Sequence, residues 1–424
     1  MAIQKKSDKL SYDARSNFGL KGWWIIIFSM LNWAFFGGLT ATGMNFIVPE
    51  LAGQLQVDQG NLLSLSTPAN LISLFTSLAA GALVTKWGAK RINGVILILA
   101  AAAVFAWGAS SSMLGYTISL FCVVCLLKAV ELIGGHTYPA QWFPRKKGIA
   151  LGWATMGLNI AGAVIVPILT ALTAALGGIK YALWVMAGGL VVMFILNTVA
   201  FKNYPEEWNA YPDNDPNAER IDPKAMATGW TNKQLLKQKE LWLLGLGNGV
   251  YAMISIGFVS TLVPTMLSRG YSMETAVAMM AITSFLGLVG SYLCGLLDQK
   301  CGSKTACIVY GIVLIVGIIF FFIPGNVANW IFVIILGMTL GGSSNYPAST
   351  TAQVFGRFAF TKAFNLIYFI QGAICSFNFA ILGQSVARTG SYNAGWIILG
   401  VLTAIAVALF CFTNMNPKKD PIEE

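Results

Sequence analysis

Lys128 and Glu131 are two charged residues that fall deep within long apolar stretches of this 424-residue chain. A charge at the centre of a bilayer costs about 2.5–3.5 kcal/mol on insertion scales, so such residues face protein or a water-filled cavity. Spaced i and i+3, they share one face of a helix and can pair. The ammonium can attract a substrate carboxylate, with Glu131 as its partner or as a proton carrier. The structural alternative is a self-neutralised pair that holds one helix against its neighbour. His136 is the only histidine. On a regular α-helix it lies about 80° around from Lys128. An imidazole titrates near physiological pH and can relay protons; the alternative here is a packing role beside Gly134 and Gly135. One histidine and no clustered metal ligands argue against an enzyme, a cofactor or a metal site.

Neutral polar residues in apolar runs are weaker candidates for lining a binding site: Thr42, Asn45, Asn159, Asn248, Tyr251, Asn345, Tyr346, Tyr368 and Gln371. Such residues also serve as glue between membrane helices. Gly245, Gly247 and Gly249 mimic part of a nucleotide loop but follow no strand, so close helix packing is the expected role. Gly148 and Gly152 have the same reading.

The elements that hold these residues follow from composition. The chain is 56% hydrophobic and only 10% charged, with mean hydropathy +0.68. A soluble domain is about a quarter charged. That excludes most soluble enzymes and disordered chains and points to a polytopic helical membrane protein. The net charge of +10 sits in short loops, where it marks membrane orientation rather than nucleic-acid binding. Seven cysteines lie mostly in apolar runs and suggest no disulfide framework. The Cys122-x-x-Cys125 pair has no βαβ context for redox chemistry.

A spanning helix needs about 20 apolar residues. The runs between consecutive charges give twelve spans, six on each side of a charged, proline-bearing segment. That segment, from Lys202 to Glu240, carries thirteen charges and four prolines. Thr231 with Gln234 reads as a capping box opening a short helix before span seven. The expected divisions are a tail at 1–21, a bundle at 22–201, a linker at 202–240, a second bundle at 241–415 and a tail at 416–424. One side of the membrane receives 23 of the 27 Lys and Arg, which places both termini and the linker in the cytoplasm of a cell-membrane protein. Trp23, Trp24, Trp142, Trp242 and Trp330 fall near span ends, as an aromatic belt would.

The two halves echo each other. Gly81-to-Arg91 reads GALVTKWGAKR, and Gly295-to-Thr305 reads GLLDQKCGSKT, with matching glycine spacing at an offset of 214. Gly134-Gly135-His136-Thr137-Tyr138-Pro139 resembles Gly341-Gly342-Ser343-Ser344-Asn345-Tyr346-Pro347 with one residue inserted. Duplicated halves build many secondary transporters, with the site near the midplane between them.

Twelve spans, a central linker and G-x₆-G-x-K loops after spans two and eight resemble the major facilitator superfamily, over essentially the whole chain. Thr85 departs from that loop pattern, in which an acidic residue is common; Asp298 supplies one in the second loop, one position early. Within the superfamily, Trp142-Phe143-Pro144-Arg145-Lys146-Lys147-Gly148-Ile149-Ala150-Leu151-Gly152, Val354-Phe355-Gly356 and Pro205-Glu206-Glu207 resemble the oxalate:formate antiporter and monocarboxylate transporter group. The resemblance implies an all-α fold of two pseudo-symmetric six-helix bundles and uptake or exchange of small organic carboxylates. Carriers of this group often place a basic residue deep in span eight or eleven. Both spans lack one here, which weighs against a dicarboxylate. Span five reads AVIVP from Ala163 and lacks the Gly-Pro pair of drug–proton antiporters.

The expected activity is alternating-access transport of a small organic anion, foremost a monocarboxylate, by proton symport or anion exchange. The partners are that anion, a proton or counter-anion and the bilayer, with no nucleic acid, in a monomer. A zwitterion held by Lys128 and Glu131, or a larger amphipathic acid such as a bile acid, is the alternative. A non-transporting receptor on the same fold is the remote one.

Overall fold

The structure is a computed structural model and describes residues 13, 15–57, 62, 65–218, 229–419 and 421. Among them it is helical throughout its spans. In hydrocarbon a backbone must satisfy its hydrogen bonds internally, and a helix does so within one segment. Among the described residues, eleven helical runs are long and apolar enough to cross a membrane. The run Asn326–Val386, at 61 residues, holds two crossings: about 1.5 Å per residue makes it roughly three bilayer cores long. It turns at Gly356, whose φ of 73° and ψ of 178° only glycine adopts without strain. Twelve crossings result.

Span one runs Gly19–Phe36, bulges into a π-turn at Gly37–Ala41 and continues as Met44–Leu55. The helix starts ahead of the expected boundary at residue 22 because Lys21 lies along it, its Nζ donating to the Trp208 carbonyl at 2.6 Å. Its last segment carries Glu50 and ends at Leu55. Spans two and three are Ser66–Trp87 and Ala89–Gly108. Span four is Met113–Val130, a π segment Glu131–Thr137 and a last turn Tyr138–Trp142. Span five is Lys147–Ile160, a π-turn Ala161–Ile165 and Val166–Leu176. Span six is Ile179–Ala200. The second half runs Lys239–Ser268, Met273–Cys301, Ser303–Phe322, then 326–355 and 357–389 as spans ten and eleven, and Asn393–Phe412.

The echo between the halves is also conformational. Gly88 ends span two at φ 83°, ψ 152°, and Gly302 ends span eight at φ 79°, ψ 153°. Before span seven, Gln234 N–H donates to Thr231 Oγ1 at 3.3 Å and Thr231 N–H to Gln234 Oε1 at 2.9 Å. That is the capping box, opening the short helix Asn232–Leu236.

One apolar core draws only on residues 18–210 and a second only on 230–415. A small third core crosses between them: Leu132, Ala140 and Leu151 against Ala348, Phe360, Phe364 and Tyr368. The halves meet mainly at the end that carries the linker. A Cβ on Gly295 would lie 2.5 Å from the Gly148 carbonyl oxygen, and one on Gly152 2.9 Å from that of Ser291. The glycines thus let spans five and eight touch backbone to backbone. Asn365 Nδ2 donates to the Leu78 carbonyl at 2.8 Å, joining spans eleven and two. The far-end segments Met44–Leu55, Val166–Leu176 and Phe377–Thr389 pack within their own halves.

Below the bundle, residues 203–215 form a strap. Asp213 accepts from the N–H groups of Arg145 and Lys146 at 2.8–3.2 Å. Burial pushes the Asp213 carboxyl up, while those bonds pull it down. Glu206 takes Arg357 in a two-pronged pair at 2.8 and 2.9 Å. Trp142 departs from the belt: it is buried, with Nε1 donating to the Lys202 carbonyl at 3.2 Å. Trp24 and Trp242 are exposed as a belt requires.

Candidate functional site

The site is built on the π segment of span four. In an α-helix, residues five apart lie about 140° from each other around the axis. A π-turn closes i to i+5 instead. His136 is therefore brought over Glu131, its Nδ1 3.3 Å from the Glu131 backbone oxygen and 4.0 Å from the Oε1 atom. The 80° offset expected from Lys128 assumed a regular α-helix and does not hold. Gly134 and Gly135 let this bulge lie against span one: a Cβ on Gly134 would lie 2.4 Å from the Asn32 side chain, and one on Gly135 2.7 Å from that of Trp33.

Lys128 Nζ is 2.8 Å from Glu131 Oε2. Glu131 is 1% exposed and Lys128 19%. The ammonium stands 4.6 Å from the ring centre of Phe36 in span one and 4.8 Å from that of Tyr368 in span eleven. It therefore faces the seam between the halves. Cation–π contacts with two rings compensate part of its lost hydration. Tyr368 reaches across that seam, its hydroxyl 2.7 Å from both Glu131 oxygens. His136 Nε2 lies 3.2 Å from the carbonyl oxygen of Ser344 in span ten. The Trp33 and Phe364 rings flank the imidazole at 4.9 and 4.8 Å. One carboxylate, one ammonium and one imidazole thus meet among aromatic rings from both halves.

The other candidates divide by direction. Gln371 is buried one turn beyond Tyr368, beside Gly249 of span seven. Asn159 Nδ2 donates to Ser291 Oγ at 3.4 Å and Asn345 Nδ2 to the Gly148 carbonyl at 3.4 Å, so both tie the halves together. Thr42 Oγ1 donates to the Gly37 carbonyl within the first π-turn, with Gly162 of span five alongside. Asn248 bonds Leu244 and Thr350 between spans seven and ten. The Asn45 side chain lies outside the described residues. Two expectations are corrected. Tyr251 is fully buried, donating to the Cys307 carbonyl at 2.8 Å and stacked on Phe410. Tyr346 donates to the Cys294 carbonyl at 3.3 Å and packs on Tyr310. Both point into the core of the second half, away from the seam.

Phe36, Trp33 and Phe364 were not among the candidates. The available signal was positional: Phe364 lies one turn before Tyr368, and Trp33 and Phe36 lie at depth in span one. The glycines of span seven pack as expected, with Ile370, Phe410 and Ile374 within 2.9 Å of the Cβ positions of Gly245, Gly247 and Gly249. Asp298 meets span five at Gly148 and accepts from Ser349, whereas Thr85 donates to the Ala82 carbonyl of its own helix.

A family profile described as Major Facilitator Superfamily matches residues 22–377. The chain is similar to monocarboxylate transporter 12 of Rattus norvegicus, 23% identical over 330 residues that cover 71% of this chain and 65% of that protein. It is similar to the oxalate:formate antiporter of Oxalobacter formigenes, 22% identical over 283 residues, 64% of this chain and 63% of that protein. Each matched stretch therefore spans just under two thirds of the relative's length. The fold is similar to that of the fucose:proton symporter FucP of E. coli, with a TM-score of 0.69 at 15% identity over 92% of this chain and 99% of that one.

Proposed function

Because the chain belongs to the major facilitator superfamily, a family of carriers rather than enzymes, we propose that it moves a small monocarboxylate across the membrane by alternating access. It is a multi-pass membrane protein, and the positive-inside asymmetry of its loops supports a cell membrane with both termini and the linker in the cytoplasm. The similarity to monocarboxylate and oxalate:formate carriers supports an organic anion as cargo.

The observation that carries the reading is the placement of Lys128. Its side chain is partly exposed, and its ammonium lies on the seam between Phe36 and Tyr368 with a single buried carboxylate as partner. A monoanion entering from the far end meets one cation. It takes Lys128 in a charge-assisted contact while Glu131 keeps the Tyr368 hydroxyl. Glu131 is buried and already engaged, so a substrate ammonium finds no open carboxylate, and a zwitterion fits less well. The Phe36, Phe364 and Tyr368 rings favour an acid with an apolar body. Symport of a monoanion with one proton moves no net charge, so a pH gradient drives it and the membrane potential, worth about 2.3 kcal/mol per charge per 100 mV, does not. The halves then rock around the site.

Counterflow of labelled acids in proteoliposomes tests this. Wild-type protein is expected to exchange monocarboxylates and to ignore betaine. In Lys128→Ala, kcat/KM for the best acid is expected to fall at least ~30-fold, the loss of about 2 kcal/mol. Undiminished exchange by Lys128→Ala would remove the anchor. Acid binding without counterflow would make the chain a receptor instead.

A further inference from the structure

Both ring nitrogens of His136 face carbonyl oxygens: Nδ1 that of Glu131 on its own span, Nε2 that of Ser344 in the opposite half, at 3.3 and 3.2 Å. A carbonyl only accepts. A neutral imidazole carries one N–H, so it would satisfy one oxygen and turn a lone pair on the other; only the imidazolium donates to both. The ring is 1% exposed, so water does not fill the missing role.

The groups around the ring are few. From span four come Glu131, its Oε1 4.0 Å from Nδ1, and Lys128, already paired with Glu131. From span eleven comes the Tyr368 phenol, ring to ring at 6.1 Å and donating to Glu131. Trp33 of span one and Phe364 of span eleven are uncharged. Span ten contributes the Ser344 carbonyl.

We infer that His136 binds the coupling proton and that its imidazolium ties span four to span ten while the linker end is closed. The proton binds from the far side and sits as N–H on both ring nitrogens. When the linker end opens, span ten withdraws the Ser344 carbonyl. Nε2–H loses its acceptor and passes its proton to water on the linker side, while Nδ1–H keeps Glu131. The proposal rests on the monoanion reading for its stoichiometry. In the closed state Lys128, Glu131 and His136 sum to one positive charge, which one monoanion neutralises. After release the empty site is neutral for the return step. One acid and one proton therefore travel together.

The test uses the only histidine as its own probe. Wild-type protein is purified through a histidine-free tag, labelled with ¹⁵N-histidine and placed in lipid nanodiscs. Its NMR signals should show both ring nitrogens protonated at the acid end of the range from about pH 5 to 8 and one of them at the other end. Hydrogen exchange of residues 343–357, corrected for intrinsic rates, should be slower at the acid end by about tenfold, within the usual span of coupling between sites. His136→Gln should lose that pH dependence. It should also lose about tenfold of the accumulation driven by an imposed pH gradient.

A ring held in one neutral tautomer throughout would overturn the inference, as would full pH-driven accumulation by His136→Gln. Should that variant fail to fold, the wild-type signals and exchange rates still decide. If the ring and the exchange respond to pH but no acid is carried, the proton tie stands and the monocarboxylate reading falls. If acids are carried while the ring stays neutral, only the proton tie falls.

Discussion

Glu131 is the residue on which the site turns. Its carboxylate receives the Lys128 ammonium and the Tyr368 hydroxyl and lies near His136, so it links both halves and both cation candidates. A substrate anion must compete with it for Lys128. Glu131→Gln removes the competitor and keeps the shape. Removing one partner of a fully buried pair costs about 3–5 kcal/mol; Lys128 is partly exposed, so the loss expected here is smaller, about 1–3 kcal/mol, seen as a lower Tm. The freed ammonium then has the substrate as its only anion. A monocarboxylate is expected to bind Glu131→Gln about tenfold tighter, worth ~1.4 kcal/mol, and to raise its Tm by more than it raises that of the wild type. Thermal shift across a concentration series of acid reads both quantities. Loss of the ligand-induced shift would instead make Glu131 a direct contact of the cargo. Turnover should fall in either case, because Tyr368 loses the charged acceptor that fastens span eleven to span four.

At the scale of elements, the contact of spans five and eight is backbone against backbone, so neither side has a flexible end to yield. Gly295→Val places its Cβ 2.5 Å from the Gly148 carbonyl oxygen, and the spans must separate. The closed linker end is destabilised relative to the open one. Exchange of the amides in 147–160 is expected to quicken by about tenfold, while transport falls because one of the two states is disfavoured. Unchanged exchange would mean that the spans part here at no cost. The packing role of Gly148 and Gly152 was legible in the sequence, and so was the succession of apolar spans, because run length and side-chain volume act along the chain. The Thr231–Gln234 box was legible for the same reason. The π-turns at Gly37–Ala41, Glu131–Thr137 and Ala161–Ile165 were not. Nothing in Glu-Leu-Ile-Gly-Gly-His-Thr separates i to i+5 bonding from i to i+4, and the facing Asn32 and Trp33 are supplied from span one. The directions of Tyr251 and Tyr346 were illegible for another reason. A span apolar on all faces carries no periodicity to distinguish the seam from the core.

The whole molecule is two cores joined by a thin shared layer, so the balance between its states rests on the contacts that cross. Arg357, just past the Gly356 break, makes the most concentrated of these at the linker end. Its guanidinium takes Glu206 with two bonds, donates through Nε to the Gln141 carbonyl and lies over the Tyr204 ring at 5.2 Å. Glu206 belongs to the strap that Asp213 fastens beneath the first half. Opening the linker end must therefore pull Arg357 out of the first half's grip. Both partners are 7% exposed in the closed state, but water reaches them once the halves part. The pair thus favours the closed state without penalising the open one. A hydrogen bond to a charged group is worth about 1.5–3 kcal/mol. Arg357→Ala is expected to shift the population toward the linker-open state by about 10–150-fold. Affinity for acid offered from the far side should fall by a like factor if the closed state predominates in the wild type. The exposed pair Arg145–Asp215, 67% and 29% exposed, is the control. Its removal should change little, since such pairs are worth about 0–1 kcal/mol. Exchanging the charges, Glu206→Arg with Arg357→Glu, should recover part of the lost far-side affinity, because the opposed charges remain within reach while the bonds to Gln141 and Tyr204 are gone. Full affinity in Arg357→Ala, or an equal loss on removing Arg145, would show that bulk packing of the cores, and not this clasp, sets which end is open.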